Sequence, residues 1–530
     1  MSVLPSLAVA LPFLAAAAAL LAVRRRRLQR AMTLTTLLAM LVVTAALGVE
    51  VASGGPVAEQ VGGWPAGYAI PLVADGLAVA LLAAMGVLSL ASVSFAALTD
   101  EDRDGRYLPL VLVVIGGVTG ALLTGDLFNL FVFFEVMLAG SYVLLGIHRG
   151  SLRASAVYIV TSLLASALLL VGIALLYGSA GTLHLGRLHG AAGEDAAAQL
   201  AGVVVLAALT VKSAAVPVHG WLPHAYPAAP AAIAALFSGL LTKVGVYALL
   251  RVSSLLFDGA VVLAPLWALV AVTSMVVGVA GALGRSDIPG ILSFHMVSQI
   301  GYLLVVLALI ASPAAVRAGI FFLLQYIFVK GGLFLVSGAV AHIEGSTRLR
   351  DLGGLARGNP LAAAVFLTLA LSLAGLPPLS GFVAKYLLAV AAFEAGALVV
   401  GGAVVGVSLC TLLSMLKIWN GAFWAAPPDH PRVRGHDRRV LAVPAGGSGD
   451  DGRAGWQGAG GADGADGVRP DPAARPDPVT RRGRVALLAP AAALAVVTLV
   501  AGIAAAPLLE VAQVAAAHLL DAAAYAELTS

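Results

Sequence analysis

The sequence predicts an all-α polytopic membrane protein of about fourteen transmembrane helices, on three observations. The 530-residue chain is 60% hydrophobic and only 11% charged, with a mean hydropathy of +0.98. A soluble fold cannot cover itself with so few polar residues. Apolar runs long enough to cross a bilayer alternate with short polar breaks along nearly the whole chain. Basic residues gather in every second break, as they do where loops face the cytoplasm.

Taken in order, the spans cover about residues 3–23, 31–53 and 74–98 in an N-terminal group within 1–106. Five more, 107–124, 126–147, 155–178, 200–217 and 229–252, fill 107–252. Another five, 258–283, 289–311, 315–341, 360–395 and 397–423, fill 253–424, and a last span, 485–508, opens a C-terminal piece, 485–530. The first run lacks a basic stretch before it and a small-residue cleavage site after it, so it reads as a retained span rather than a signal peptide. Arg24 to Arg27 and Arg30 follow it, and the positive-inside rule puts them in the cytoplasm. Counting forward places Arg149, Arg153, Arg285, Arg348, Arg350 and Arg357 inside, with Arg432, Arg434, Arg438 and Arg439 after the thirteenth span. Only Arg187, Arg251 and Arg317 fall near the outside. The expectation is a multi-pass plasma-membrane protein with both termini outside. Residues 425–484 include "GGSGDDGRAGWQGAGGADGADGVRPDPAARPDP". With almost nothing to bury, they are expected to form a disordered cytoplasmic linker.

Composition also excludes several classes. The one cysteine, Cys410, lies within a span, so neither an intramolecular disulfide nor a Cys-rich metal or iron–sulfur site is available. No Gly-rich loop joins a strand to a helix, so no nucleotide site is indicated. His219 and His224 are five apart with no supporting carboxylate, a spacing that suits no usual metal motif. No cofactor and no metal are expected. The net charge of +4 resides in loops at one membrane face and does not point to nucleic acid. The expected medium is the lipid bilayer.

The chemistry lies in the lysines. There are five, Lys212, Lys243, Lys330, Lys385 and Lys417, and each falls within a span while every loop cation is Arg. Arg stays charged under nearly any condition, whereas a buried lysine can release its proton near neutrality. Lysines in the spans and arginines outside them are the distribution that proton handling requires. Lys417, in "SMLKIWNGAFW", stands near a span end, where snorkelling to the interface explains it equally well. The other four are deeper, and a structural ion pair for all of them would need more acids than the spans offer. Glu135, midway along "GDLFNLFVFFEVMLAGSYVLLG", is the deepest carboxylate and the natural counter-charge for one lysine. Its insertion would cost about 2.5–3.5 kcal/mol without a partner. Asp126 and Glu50 stand near span ends and read as interfacial, and Glu394 closes span twelve.

Two of these lysines neighbour proline breaks. Lys212 precedes Pro217, Pro223, Pro227 and Pro230, and Lys385 follows Pro377 and Pro378. Each proline removes a backbone donor and frees a carbonyl, so helices 7 and 12 should break. Broken helices at membrane depth need a protein-lined or hydrated cavity. Paired breaks in the fourth member of each five-span group point to two inverted five-helix repeats, 107–252 and 253–424. Span ten adds His295, Ser298 and Gln299, and span eleven adds Gln325, Tyr326 and Lys330. Histidine has the proton affinity for shuttling near neutral pH.

These residues resemble the proton-conducting membrane subunits shared by respiratory complex I and Mrp-type multisubunit Na+/H+ antiporters. The marks are Glu135 in span five, Lys212 before its break, Lys243 in "SGLLTKVGVYALLR" and Lys385 after "AGLPPLSGF". "GGWPAGYAIPLVADGLA", "TGDLFNLFVFFEVML", "LSFHMVSQIGY" and "FVKGGLFLVSG" are more similar to the Mrp D type than to complex I members. The resemblance implies a Glu135–Lys212 pair that sets proton affinity, a relay through Lys243, His295 and Lys330, and an exit toward the outside at Lys385. It implies a transporter subunit rather than an enzyme, with other membrane subunits as partners and H+ and Na+, or another monovalent cation, as cargo. The sequence departs from the family where Pro289 and Gly290 replace basic residues and where Gln325 and Tyr326 replace a His pair, leaving Lys330 and water for that part of the relay. The alternatives are a membrane-arm subunit of NADH:quinone oxidoreductase or a related hydrogenase, and a non-conducting scaffold, which would have lost the buried Glu and Lys.

Overall fold

The computed structural model describes residues 2–65, 68–147, 152–258, 261–426 and 480–529. Of the expected linker 425–484, all but the first two and last five residues lie outside the described residues, as does Arg149. The N-terminal part comprises α1 (Leu4–Leu21), α2 (Arg26–Gly54), an antiparallel pair β1 (Val57–Gln60) and β2 (Pro71–Ala74), and α3 (Gly76–Thr99). Then follow α4 (Tyr107–Leu123), α5 (Leu127–Ile147), α6 (Leu152–Ala180), α7 (Ala191–Glu194), α8 (Ala196–Ser213), α9 (Trp221–Ala225), α10 (Ala231–Gly239) and α11 (Leu241–Leu256). The next group is α12 (Ala264–Gly284), α13 (Ile288–Ala308), α14 (Pro313–Glu344), α15 (Leu355–Gly358), α16 (Pro360–Ala374), α17 (Ser380–Glu394) and α18 (Leu398–Ile418). The chain closes with α19 (Arg481–Ile503), α20 (Ala505–Leu520) and α21 (Ala522–Thr529).

Among the described residues twelve helices, counting α10–α11 as one, are long and apolar enough to cross a membrane; α4, α16 and α20 are apolar but shorter. Their starts follow local rules. Asp75, Asp195, Asp287, Ser312 and Asn359 each accept a backbone N–H in the first turn of the helix they precede. Proline stands just inside α13, α14 and α16, where a missing N–H costs nothing. The region after 508, expected as a tail, is helical and packs inward through Leu519 and Tyr525.

Helices α10–α11, α13 and α14 form the centre, buried on all sides, while α1, α2, α6, α12, α18 and α19 present apolar side chains outward. Such a bundle cannot rely on hydrophobic attraction between helices and packs by close approach of small residues. The crossing of α12 on α13 shows this. A Cβ on Gly278 would come within 2.2 Å of the Ser298 backbone nitrogen. Gly278→Ala is therefore expected to separate the two helices at a cost of about 1–3 kcal/mol, read as a lower Tm of the purified protein. An unchanged Tm would show that the contact contributes nothing. The last long helix makes a similar approach, with Gly502 of α19 lying against the backbone between α16 and α17, where a Cβ would stand 2.4 Å from the Pro378 carbonyl oxygen.

Candidate proton-handling site

Two interrupted helices build the site. A left-handed residue, Ala214 (φ 59°) or Gly375 (φ 88°), ends α8 or α16, and prolines lacking an N–H follow: Pro217 in one break, Pro377 and Pro378 in the other. The carbonyls freed at the ends are taken by side chains. Trp221 Nε1 donates to the Val211 oxygen at 3.1 Å, and Lys385 Nζ donates to the Leu373 oxygen at 2.8 Å. The second break thus orients the lysine that follows it.

At the first break Lys212, in the last turn of α8, is buried. Its Nζ donates to Ser166 Oγ at 2.9 Å and lies 3.8 Å from Glu135 Oε1 and 4.8 Å from the centre of the Phe134 ring. The Ser166 hydroxyl donates in turn to Glu135, so a serine of α6 bridges the acid of α5 to the lysine of α8. Beside them is a cavity of about 20 Å³, room for about one water, lined in part by Tyr158, Thr161, Ser162 and Trp221. Glu135 does not lie deep in the protein: 32% of its side chain is exposed on the flank of α5, against 4% for Lys212.

The remaining lysines have no carboxylate partner among the described residues. Lys243 Nζ donates to Thr242 Oγ1 at 3.2 Å and lies 4.2 Å from the Tyr326 ring centre. Tyr326 stacks on Phe322 at 5.8 Å, Phe322 stacks on Tyr302 at 5.5 Å, and Lys385 Nζ sits 4.6 Å from the Tyr302 ring. A row of three aromatic rings therefore runs between two buried lysine nitrogens, and each end ring attracts the charged form of its lysine by about 2 kcal/mol. Among the described residues Lys330 Nζ has no hydrogen-bond partner, and it lies 5.9 Å from the Phe334 ring. His295 Nε2 shares a hydrogen bond with Ser414 Oγ, while its Nδ1, both amide atoms of Gln299 and the Tyr326 hydroxyl find none among the described residues. Gln325 accepts from Ser380 at the second break, at 3.4 Å. Buried polar atoms without protein partners are commonly satisfied by bound water, and these stand on α13 and α14, which pack against each other. Next to Lys385, a crevice of about 300 Å³ lined by Phe382, Tyr386 and Ser408 opens on the flank of α17 and α18.

The hydroxyls Ser166, Thr242 and Ser414 escaped sequence reading. A serine in an apolar helix commonly bonds its own preceding turn, as Ser213 does with the Leu209 oxygen, so nothing in the sequence distinguishes a bridge from a self-satisfied side chain. A second omission is Arg251. Placed by the sequence near the outer side of the membrane and given no role, it is buried within the protein in an ion pair with Asp75, and its guanidinium lies 4.8 Å from the Tyr525 ring and 5.5 Å from the Tyr247 ring.

Comparison with known proteins identifies the family. The model of the transmembrane family described as NADH:quinone oxidoreductase/Mrp antiporter matches residues 124–411. The D-type subunit of the Na(+)/H(+) antiporter of Alkalihalophilus pseudofirmus is 38% identical over 432 residues, 80% of this chain and 87% of the relative. The corresponding antiporter subunit of Bacillus subtilis is 33% identical over 83% of this chain and 90% of its own. Among solved structures, a chain of the Mrp complex from Dietzia sp. DQ12-45-1b superposes with a TM-score of 0.88 at 40% identity, both chains covered in full. A chain of respiratory complex I from Thermus thermophilus gives a TM-score of 0.74 at 23% identity over 99% of this chain and all of its own, a likeness of fold. The chain belongs to the NADH:quinone oxidoreductase/Mrp antiporter family of transmembrane proteins.

Proposed function

We propose that the chain is the D-type subunit of a multisubunit Mrp antiporter, conducting protons through the membrane in exchange for Na+ or another monovalent cation. The observation that carries this reading is the Glu135–Ser166–Lys212 bridge, set at a helix break in a chain 40% identical to one from a solved Mrp complex. The two relatives reported above are named as antiporter subunits, which favours an antiporter over a redox-driven complex. The subunit acts as a transporter part rather than an enzyme, in the plasma membrane, with both termini outside and the 425–484 linker in the cytoplasm. Residues 107–252 and 253–424 act as two inverted five-helix units, their broken helices facing the path.

The charged Glu135 holds the ammonium form of Lys212 through Ser166. When a proton or a neighbouring subunit neutralises Glu135, Lys212 becomes a lone buried cation and passes its proton inward. Lys243, the waters among Gln299, Tyr326 and Lys330, and His295 carry it across the centre, and Lys385 delivers it outside. The exposed third of Glu135 fits this role, since a mid-span carboxylate is tenable against another subunit and costly against lipid.

The test is cation-dependent collapse of an imposed pH gradient in everted vesicles holding the subunit with its full set of partners. Na+-dependent exchange is expected in wild type and at least tenfold less in Lys212→Ala and Glu135→Ala, consistent with loss of a proton-transfer group. Exchange surviving in both variants moves the path elsewhere. A wild type silent to every monovalent cation but required for NADH- or hydrogenase-driven pumping would transfer the chain to a redox complex.

A further inference from the structure

Helix α3 carries an acid at each end. Asp75 caps its N-terminus by accepting the Ala78 N–H, and Glu101 follows its C-terminus by two residues. Both acids reach the same neighbour. Asp75 is paired with Arg251 near the end of α11, and Glu101 Oε2 accepts the Ala232 N–H in the first turn of α10 at 3.0 Å. That start has no cap of its own, because Pro230 precedes it and offers no side-chain acceptor. Midway, Leu88 of α3 lies against Gly239, where α10 meets α11; a Cβ there would come within 2.0 Å of it. Thus α3 runs antiparallel to α10–α11 and holds it at both ends and at the joint, with Lys243 four residues beyond the joint.

We propose that α3 clamps α10–α11, and that Glu101 is its releasable end, so that protonation from the cytoplasm resets the position of Lys243. The proposal rests on the transport reading above and on its topology. The two ends differ in kind. Asp75 and Arg251 are buried, and a guanidinium does not lose its charge, so that end is permanent. Glu101 keeps part of its surface exposed while its carboxyl is shielded from solvent, and among the described residues no cation is bonded to it. The arginines of α2 are engaged by its neighbours: Arg30 Nε bonds Asp102 at 2.6 Å, and Arg26 bonds Asp100 and Asp102, both at 3.3 Å. The groups acting on Glu101 are the Asp102 carboxylate beside it, the Tyr107 phenol of α4, the Thr99 hydroxyl and the N–H groups of Ala231 and Ala232. Burial pushes its carboxyl up to about 7, against those hydrogen bonds. The sign follows: at pH 6 the group is mostly neutral, and at pH 8 it is an anion at a helix N-terminus, where negative charge binds best. The grip strengthens as cytoplasmic pH rises.

Two measurements test this. In the purified complex, hydrogen exchange of the first turn of α10, corrected for intrinsic rates, is expected to be about fivefold faster at pH 6 than at pH 8, the scale of a lost cap. In Glu101→Gln, which keeps an acceptor but does not titrate, the corrected rate should be the same at both pH values, a ratio of about one. Equal protection of the wild type at the two pH values, or an unaltered ratio in the variant, overturns the clamp. In everted vesicles, cation-dependent exchange of the wild type should step upward as bulk pH passes 7, a step that Glu101→Gln lacks. A variant that keeps the step overturns the coupling to Lys243. Vesicles with no cation-dependent exchange in the wild type would refute the transport reading instead, and the hydrogen-exchange result alone would then decide the clamp.

Discussion

Lys243→Arg is expected to abolish cation-dependent proton exchange and also to reduce the assembled subunit, whereas Lys243→Met abolishes exchange alone. The side chain is fully buried, with Thr242 and the Tyr326 ring as its contacts and no carboxylate within pairing distance among the described residues. An amine can sit there neutral, passing its proton and recovering it. A guanidinium cannot, and an unpaired permanent charge in such a site costs several kcal/mol. Met fills nearly the same volume without charge, so the fold is kept and the relay lost. Everted-vesicle transport and the amount of subunit in purified membranes, measured together, separate the two outcomes. If Lys243→Arg assembled normally and retained half the wild-type rate, the residue would be an electrostatic fixture and not a proton carrier.

Arg251→Leu is expected to destabilise the subunit by about 3–5 kcal/mol, because it leaves the Asp75 carboxylate buried without its cation. The double substitution Asp75→Asn with Arg251→Leu removes both charges while keeping a capping acceptor for the Ala78 N–H. It should fall within about 1 kcal/mol of wild type, since neutral replacements of a buried pair are often tolerated. Thermal unfolding of the purified complex reads both. A double variant as unstable as the single one would mean that Arg251 matters for shape rather than charge.

Much of this was legible in the sequence for physical reasons. A bilayer dictates about twenty apolar residues per crossing and forbids unsatisfied backbone, so helix positions follow from hydropathy, and prolines beside Lys212 and Lys385 announce breaks. The five lysines stood out because membrane insertion filters charge so strongly that a surviving one has a purpose. What connects them was hidden. Ser166, Thr242 and Ser414 are short hydroxyls that any apolar helix tolerates, and only the packing of α5, α6 and α8 shows that one of them bridges Glu135 to Lys212. The exposure of Glu135 was equally hidden, since hydropathy gives depth but not which face of a helix meets protein. Asp75 and Glu101 were not singled out at all, because their partners lie over a hundred residues away in sequence.

The position of Tyr525 over the Arg251 guanidinium has a consequence for how the molecule is made. Both members of that ion pair leave the ribosome long before Tyr525 does. Until α19, α20 and α21 have emerged and folded back across α14, α16 and α3, the buried charges lack their roof, and the break at Pro378 lacks the helix that lies against it. Assembly is therefore ordered: the early helices form a half-open shell, and the final segment acts as its keystone. A chain stopped short of α19 would expose charge and free backbone to lipid, marking it as unfinished for the quality control of the cell.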